Sequence, residues 1–387
     1  MNQNIFERKT LGPLLTLKKG KKPGFQSPAK EKGMLPYVDI KAFETGVIDN
    51  YTDDDKCVPC EDGDLLIVCD GSRSGYVGRA IKGYTGSTLA KISAEGVDNG
   101  YLYYFIQSMY RFLNTQMKGT GTPHLNVDVL RKAELVIPSI KEQKQIVNKI
   151  EELFFELDSA VETLKKAKEQ LAVYRQSVLK EAFESITETS ILVNLAERIF
   201  DGPFGSNLKS IDYINEGIRV VRLENLKEGW FDDSKQSFVS NEKYETIKKH
   251  TVYPSDLIMS TFISDSIKVC QMPEYIKFAV NKADCIGIRL KEDVVEKKYV
   301  LYYLLSRKAY VDLEHQIHGA TRPRVNTTQI KQLEIPICPK KEQGKIVSQI
   351  ESRFTICENI EKTVNEALMQ ADAMRQCILK KAFEGKV

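Results

Sequence analysis

Four short stretches bring cations together with glycine. That combination lets a backbone N–H approach a phosphate while Lys or Arg neutralises it or reaches a base edge. Leu17-Lys-Lys-Gly-Lys-Lys-Pro23 sets four lysines around one glycine, among them Lys19, Lys21 and Lys22. Asp70-Gly-Ser-Arg-Ser-Gly75 puts Arg73 on a turn, with Arg79 a few residues further on. Asp201-Gly-Pro-Phe-Gly-Ser-Asn-Leu-Lys209 supplies Ser206, Asn207 and Lys209, and Gly319-Ala-Thr-Arg-Pro-Arg-Val-Asn326 adds Arg322 and Arg324. Singly, each stretch reads equally as a solvated basic loop. As matched patches in both halves of the chain they point to nucleic acid.

Groups able to carry catalysis are not arranged for it. There is no Asn/Asp-Pro-Pro-Tyr for amino methylation, and Gly20-Lys21-Lys22 lacks the earlier glycine and the hydroxyl of a phosphate loop. Neither GxSxG nor HExxH occurs. Of the four histidines, at 124, 250, 315 and 318, the last two lie one helical turn apart without carboxylates at ligand spacing. Cys57-Val-Pro-Cys60 is half a zinc ribbon, and with no second pair to complete it the two read as loop thiols. The expectation is a chain with no catalytic residue, no metal and no cofactor of its own.

At 387 residues and 44.0 kDa the chain has room for two or three domains of ~150 residues. It is 42% hydrophobic and 28% charged, the balance of a globular protein with a real core. The formal charge of +3, from 56 basic and 53 acidic residues, is too small to bind DNA globally, so the local patches must do so. No apolar run approaches the ~20 residues of a spanning helix, and MNQNIFERKT does not open like a secretory signal. The expected setting is cytoplasmic, away from membranes, with the eight cysteines reduced.

A repeat organises these patches. Shifted by 200, residues 101–185 align with 301–385 without a gap, and 27 of the 85 positions are identical. Gly119 meets Gly319, Pro123 meets Pro323, Glu142-Gln143 meets Glu342-Gln343, and Arg175-Gln176 meets Arg375-Gln376. Upstream the offset changes, Asp64 corresponding to Asp256, so each half is a variable segment followed by a constant one. In the first constant segment apolar residues fall at 146, 150, 153, 157, 160, 164, 167, 171, 174 and 178. This alternation of 4 and 3 is the seam of a coiled coil. The second copy repeats it from Ile346 to Ile378, with Arg353 breaking the row and Phe354 taking over its packing. Two such helices pair antiparallel if they pair within one chain; pairing between two chains is the alternative. Beside the seam runs a second apolar row, Val147, Phe154 and Val161, echoed by Val347 and Phe354, with Phe183 and Phe383 at the helix ends. It either widens the internal core or docks partner helices.

The variable segments hold short strand-like runs, Leu65-Val68, Ile218-Leu223, Leu257-Thr261 and Cys285-Leu290, each bounded by turn residues. Aromatic helical stretches, Leu102-Leu113 and Val300-Val311, follow them. The expected fold is α+β: two globular α/β modules separated by two long antiparallel coiled-coil helices, in a pseudo-two-fold repeat. The boundaries fall at 1–138, 139–186, 187–338 and 339–387.

Two variable modules alternating with two constant helices resemble the specificity subunit of type I restriction–modification systems. The resemblance is carried by Ile137-Pro138 to Glu142-Gln143-Lys-Gln-Ile-Val147 and Tyr174-Arg-Gln-Ser-Val-Leu-Lys180 with their counterparts near 335–347 and 375–380. The Asp201-Gly-Pro-Phe-Gly-Ser opening adds to it, whereas Leu17-Lys-Lys-Gly20 departs from that pattern. The resemblance implies a non-catalytic reader of double-stranded DNA, each target-recognition domain reading one half of a bipartite asymmetric site. It implies two methyltransferase subunits that use S-adenosylmethionine, docked on the apolar row of the helices, and restriction–translocase subunits that use ATP and Mg2+. The ten polar and cationic residues named at the outset become the candidate DNA contacts. Seam positions 146 to 178 span 33 residues, about 50 Å, enough to hold two modules about one duplex turn apart. A coiled-coil scaffold with no DNA role is the rival reading.

Overall fold

Two helices of unusual length dominate the computed structural model, Ile140–Glu184 with 45 residues and Lys340–Phe383 with 44. The structure describes residues 8–119, 121–316 and 323–384. No proline interrupts either helix, and only Gly344, near the start of the second, costs it about 1 kcal/mol of propensity. The first begins with a capping box: Glu142 Oε2 accepts from the Ser139 N–H at 2.9 Å and the Ser139 hydroxyl at 2.7 Å.

The chain divides into two compact units, one holding residues through Leu164 and those from Asn365, the other Lys165–Val364. Each unit therefore contains the leading part of one long helix and the trailing part of the other. In the Lys165–Val364 unit Glu181 pairs with Arg353 at 2.5 Å, and Arg175 with Glu361 at 3.1 Å. Moving back along one helix moves forward along its partner, so the segments are antiparallel. In the other unit the repeat counterpart of Arg175, Arg375, pairs with Asp158 and lies 4.9 Å over the Phe154 ring. The helices thus pair within one chain, not between two.

Each unit carries a four-stranded antiparallel sheet. One runs in the order Leu15–Lys19, Leu89–Ala94, Leu65–Val68, Val77–Arg79. Its counterpart runs Ala196–Asp201, Cys285–Leu290, Leu257–Ser260, Val269–Gln271. A second, mixed sheet in each is built on one parallel pair, Leu35–Val38 with Gly83–Thr85 and Ile218–Val221 with Ala279–Asn281. The strand-like runs of the sequence are strands, although two end one or two residues early, at Val221 and Ser260.

The aromatic stretch of the first half is one helix, Asn99–Thr115, but that of the second is two, Lys297–Leu304 and Arg307–Glu314. The Gln176 side chain serves the break, donating to the Leu305 carbonyl at 3.0 Å and accepting from the Arg307 N–H at 2.9 Å. The break also corrects the ungapped alignment. Tyr101 donates to the Val136 carbonyl and Tyr299 to that of Pro336, so across this helix the true offset is 198 rather than 200.

The corresponding tyrosines decide the fate of the second apolar row. Tyr101 and Tyr104 meet Phe383 and Phe154 edge to face at 5.0 and 5.7 Å. Tyr299 and Tyr302 meet Phe183 and Phe354 at 5.1 and 5.6 Å. Val147, Phe154, Phe183 and Val347 are buried, Phe354 and Phe383 pack half-buried against the same cores, and Val161 is half-buried. Six of these seven are packed by their own chain, which leaves them little surface for a partner. The expected seam holds over most of its length, with Ile350, Cys357, Val364 and Ala371 buried. Ile150 and Val178 face inward as expected, but Tyr174, Ile360 and Met374 of the expected seam are exposed. The inward stripe of the first helix combines both rows: 147, 150 and 154 are buried and 157, 161 and 164 half-buried.

The Glu-Gln pair that introduces each helix has a structural role. Gln143 and Gln343 are fully buried and accept from the N–H groups of Asp98 and Glu296 at 2.7 and 2.8 Å. Their amides donate to the carbonyls of Pro138 and Cys338. Each thereby ties a long helix to the aromatic helix beneath it. Gln343→Leu keeps the volume but strands a buried N–H and a carbonyl, at about 1–3 kcal/mol per group. Chemical denaturation should show that loss, while Glu342→Ala, at an exposed position, stays near wild type.

Candidate nucleic-acid interface

In the unit with residues through Leu164, two of the glycine-rich segments and the 123–125 counterpart of 323–325 meet at one end of the sheet. Lys19 closes its strand and pairs with Asp70 at 2.9 Å, and the His124 Nδ1 lies 2.7 Å from the other Asp70 oxygen. Burial alone would raise the Asp70 carboxyl, but Lys19 and His124 outweigh it and hold the group below its ordinary value. The 70–75 turn is fixed from behind. Gly71 N–H donates to the Pro123 carbonyl at 2.8 Å, the buried Ser74 hydroxyl donates to the Gly71 carbonyl at 2.7 Å, and Asn114 donates to the carbonyls of Ser72 and Ser74. Arg73 projects from this rigid turn, paired with Glu44 at 2.5 Å and lying 4.3 Å over the Tyr76 ring. Lys21 and Lys22, close to Lys19 in sequence, are exposed.

Arg79 is not part of this cluster. Its strand pairs it with Leu65, at the opposite end of the sheet from Val68, and its guanidinium lies 5.3 Å over Tyr103. Cys69, next to Asp70, has its thiol pushed up to about 11 by burial, so it stays protonated at neutral pH.

The Lys165–Val364 unit repeats the arrangement with other side chains. Arg324 bridges to Phe262 as His124 bridges to Asp70, lies 4.0 Å over the Phe262 ring and pairs with Asp284 at 3.2 Å. Val325 N–H donates to Thr261 carbonyl just as Leu125 N–H donates to that of Cys69. A cavity of about 400 Å³ opens here, lined by Asp201, Phe204, Thr261, Arg324, Asn326 and their neighbours. Phe204, Ser206, Asn207 and Lys209 are exposed on the adjoining loop. Arg322 lies outside the described residues.

The departure at Leu17-Lys-Lys-Gly20 is smaller than the sequence suggests. A Cβ on Gly20 would overlap the carbonyl oxygens of Thr85 and Gly86, and one on Gly202 would overlap Asn281 and Lys282. Thr85 and Asn281 are the equivalent ends of the parallel strand pairs. Both modules thus keep a glycine where the first strand crosses the second sheet. Sequence reasoning missed the 262–266 loop, although the 192-residue offset from Asp64 to Asp256 carries Asp70 onto Phe262. It also missed Glu44 and Asp284, for which no local signal exists.

Among the described residues no three His, Cys, Asp or Glu side chains form a metal-binding group, and no helix is long and apolar enough to cross a membrane. Two modules of one design, each presenting cations on glycine-rich loops, match the family model for type I restriction modification DNA specificity domains over residues 5–171 and again over 207–370. The chain belongs to that family. As a family member it is 22% identical to the type I restriction enzyme MjaVIII specificity subunit of Methanocaldococcus jannaschii, over 97% of this chain and 92% of that one. A chain solved in work on assembly and conformational transition of the type I R-M system superposes with a TM-score of 0.75 at 17% identity, covering 99% and 98% of the two. The HsdS subunit from Thermoanaerobacter tengcongensis superposes at 0.52 and 16%, covering 100% and 98%. These two likenesses bear on the fold, which is that of a specificity subunit; the scaffold reading without DNA is not favoured.

Proposed function

We propose that the chain is the non-catalytic reader of a type I restriction–modification complex, with residues 1–138 and 187–338 as its two target-recognition domains. Each domain reads one half of a bipartite, asymmetric duplex site, and the helices of 139–186 and 339–387 set the unread spacer. Two methyltransferase subunits carrying S-adenosylmethionine act at the site, and ATP- and Mg2+-dependent translocase–nuclease subunits join them. The observation that carries this reading is the repetition of one loop architecture with different side chains. His124 and Asp70 stand where the second module has Arg324 and Phe262, so the two modules present different donors to DNA.

Lys21, Lys22 and Lys209 are assigned to phosphates, Arg73 and Arg324 to base edges, with Lys19, Ser206 and Asn207 beside them; Arg322 keeps its assignment from the sequence. Arg79 belongs to the fold of its module. Methyltransferase docking passes from the buried phenylalanines to what the helices leave exposed, Tyr174 and Ile360 in one unit and Phe155 and Met374 in the other. Sequencing methylated bases in cells with and without the chain tests the assignment. Methylation that is unchanged by its removal would end it. Inserting one heptad into both helices should lengthen the spacer and leave both half-sites unchanged; a mapped site with its original spacer would refute the ruler.

A further inference from the structure

Three of the cations that face DNA in this reading are held by a carboxylate of the same module. Lys19 pairs with Asp70, Arg73 with Glu44 and Arg324 with Asp284. In every pair the acid is the more buried partner: 17, 26 and 27% exposed, against 52, 44 and 52% for the bases. The acids are therefore set into the scaffold, and the cations stand further out in solvent. Both arginines are also laid on an aromatic face, Tyr76 or Phe262, which leaves the guanidinium one orientation.

A free guanidinium on a loop finds the nearest phosphate, and phosphate contacts bind every sequence alike. One clamped between a ring and a carboxylate presents a fixed fork, suited to bidentate contact with a base edge. The carboxylate meanwhile repels the backbone on any duplex that offers no such edge. Specificity is a difference of affinities, and a repulsive element sharpens it without adding affinity for the target.

We propose that Glu44, Asp70 and Asp284 are specificity residues, each withholding one DNA-facing cation from phosphates so that random duplex is bound weakly. This rests on the DNA-reading function proposed above. The test titrates the full chain with a random-sequence duplex across a salt series. Glu44→Gln and Asp284→Asn each free one cation, so each should steepen the slope of log K against log salt by about 0.9 and tighten low-salt binding several-fold. Glu61→Gln makes the same charge change at the pair with Lys82, on a turn at the far end of the sheet, and should leave the slope unchanged. Slopes for Glu44→Gln and Asp284→Asn equal to that of Glu61→Gln would overturn the proposal. The two substitutions lie in different units, so loss of fold in one leaves the other informative. A wild-type chain that retains no duplex even at low salt would instead sink the DNA-reading assignment itself.

Discussion

Phe154→Ala and Phe183→Ala should each cost about 3–5 kcal/mol of stability in denaturant titrations, whereas Tyr174→Ala and Ile360→Ala should leave the unfolding transition in place. The reason is which apolar row faces inward. Phe183 is wedged between Tyr299 and Tyr303, at 5.1 and 5.3 Å, and Phe154 lies under Tyr104. Truncation leaves a void that a close-packed core fills only in part. Tyr174 and Ile360 are 47 and 43% exposed, so their loss removes little buried surface from the chain itself. Their effect should appear in assembly: a Tyr174→Asp, Ile360→Asp double variant should fold normally and lose the co-purifying methyltransferase subunit. If that variant holds the subunit as well as wild type does, docking lies elsewhere on the chain.

Gly202→Ala should abolish methylation at the chain's target site, and Gly205→Ala, three residues along the same loop, should not. Open space surrounds Gly205, whereas a Cβ at 202 would be driven into the Asn281–Lys282 backbone. Backbone cannot rotate away as a side chain can, so the strand end must shift, at about 1–3 kcal/mol or more. The 203–209 loop shifts with it. A reader that loses several base contacts at ~1–3 kcal/mol each loses its site. Gly20→Ala should do the same in the first module, against Gly24→Ala as its neutral partner, whose Cβ meets only an Asp54 oxygen at 3.6 Å. Methylated-base sequencing reads all four variants, and equal methylation by Gly202→Ala and Gly205→Ala would show that the crossing glycine does not position the loop.

Much of the architecture is local and was therefore legible. Helix length follows from a 3.5-residue apolar period free of proline, and the strands at Leu65–Val68 and Cys285–Leu290 follow from β-branched runs between turn residues. The duplication follows from identity at fixed offset, and with it the expectation that whatever one half presents, the other presents in altered form.

Three matters were settled only by tertiary contacts. Two apolar rows lie side by side on each long helix, and a period cannot tell whether the second is also inside; the tyrosines of helices about 50 residues upstream cover the row of Phe154 and Phe354. Arg79 and Arg73 look alike in sequence, yet strand register puts them at opposite ends of one sheet. The carboxylates that hold the cations come from positions 29 to 51 residues away, as with Glu44 for Arg73, Asp284 for Arg324 and Asp70 for Lys19. Periodicity and turn chemistry act over a few residues and are written in the chain itself. Which face is buried, and which charge meets which, depends on surfaces that exist only once distant segments have packed.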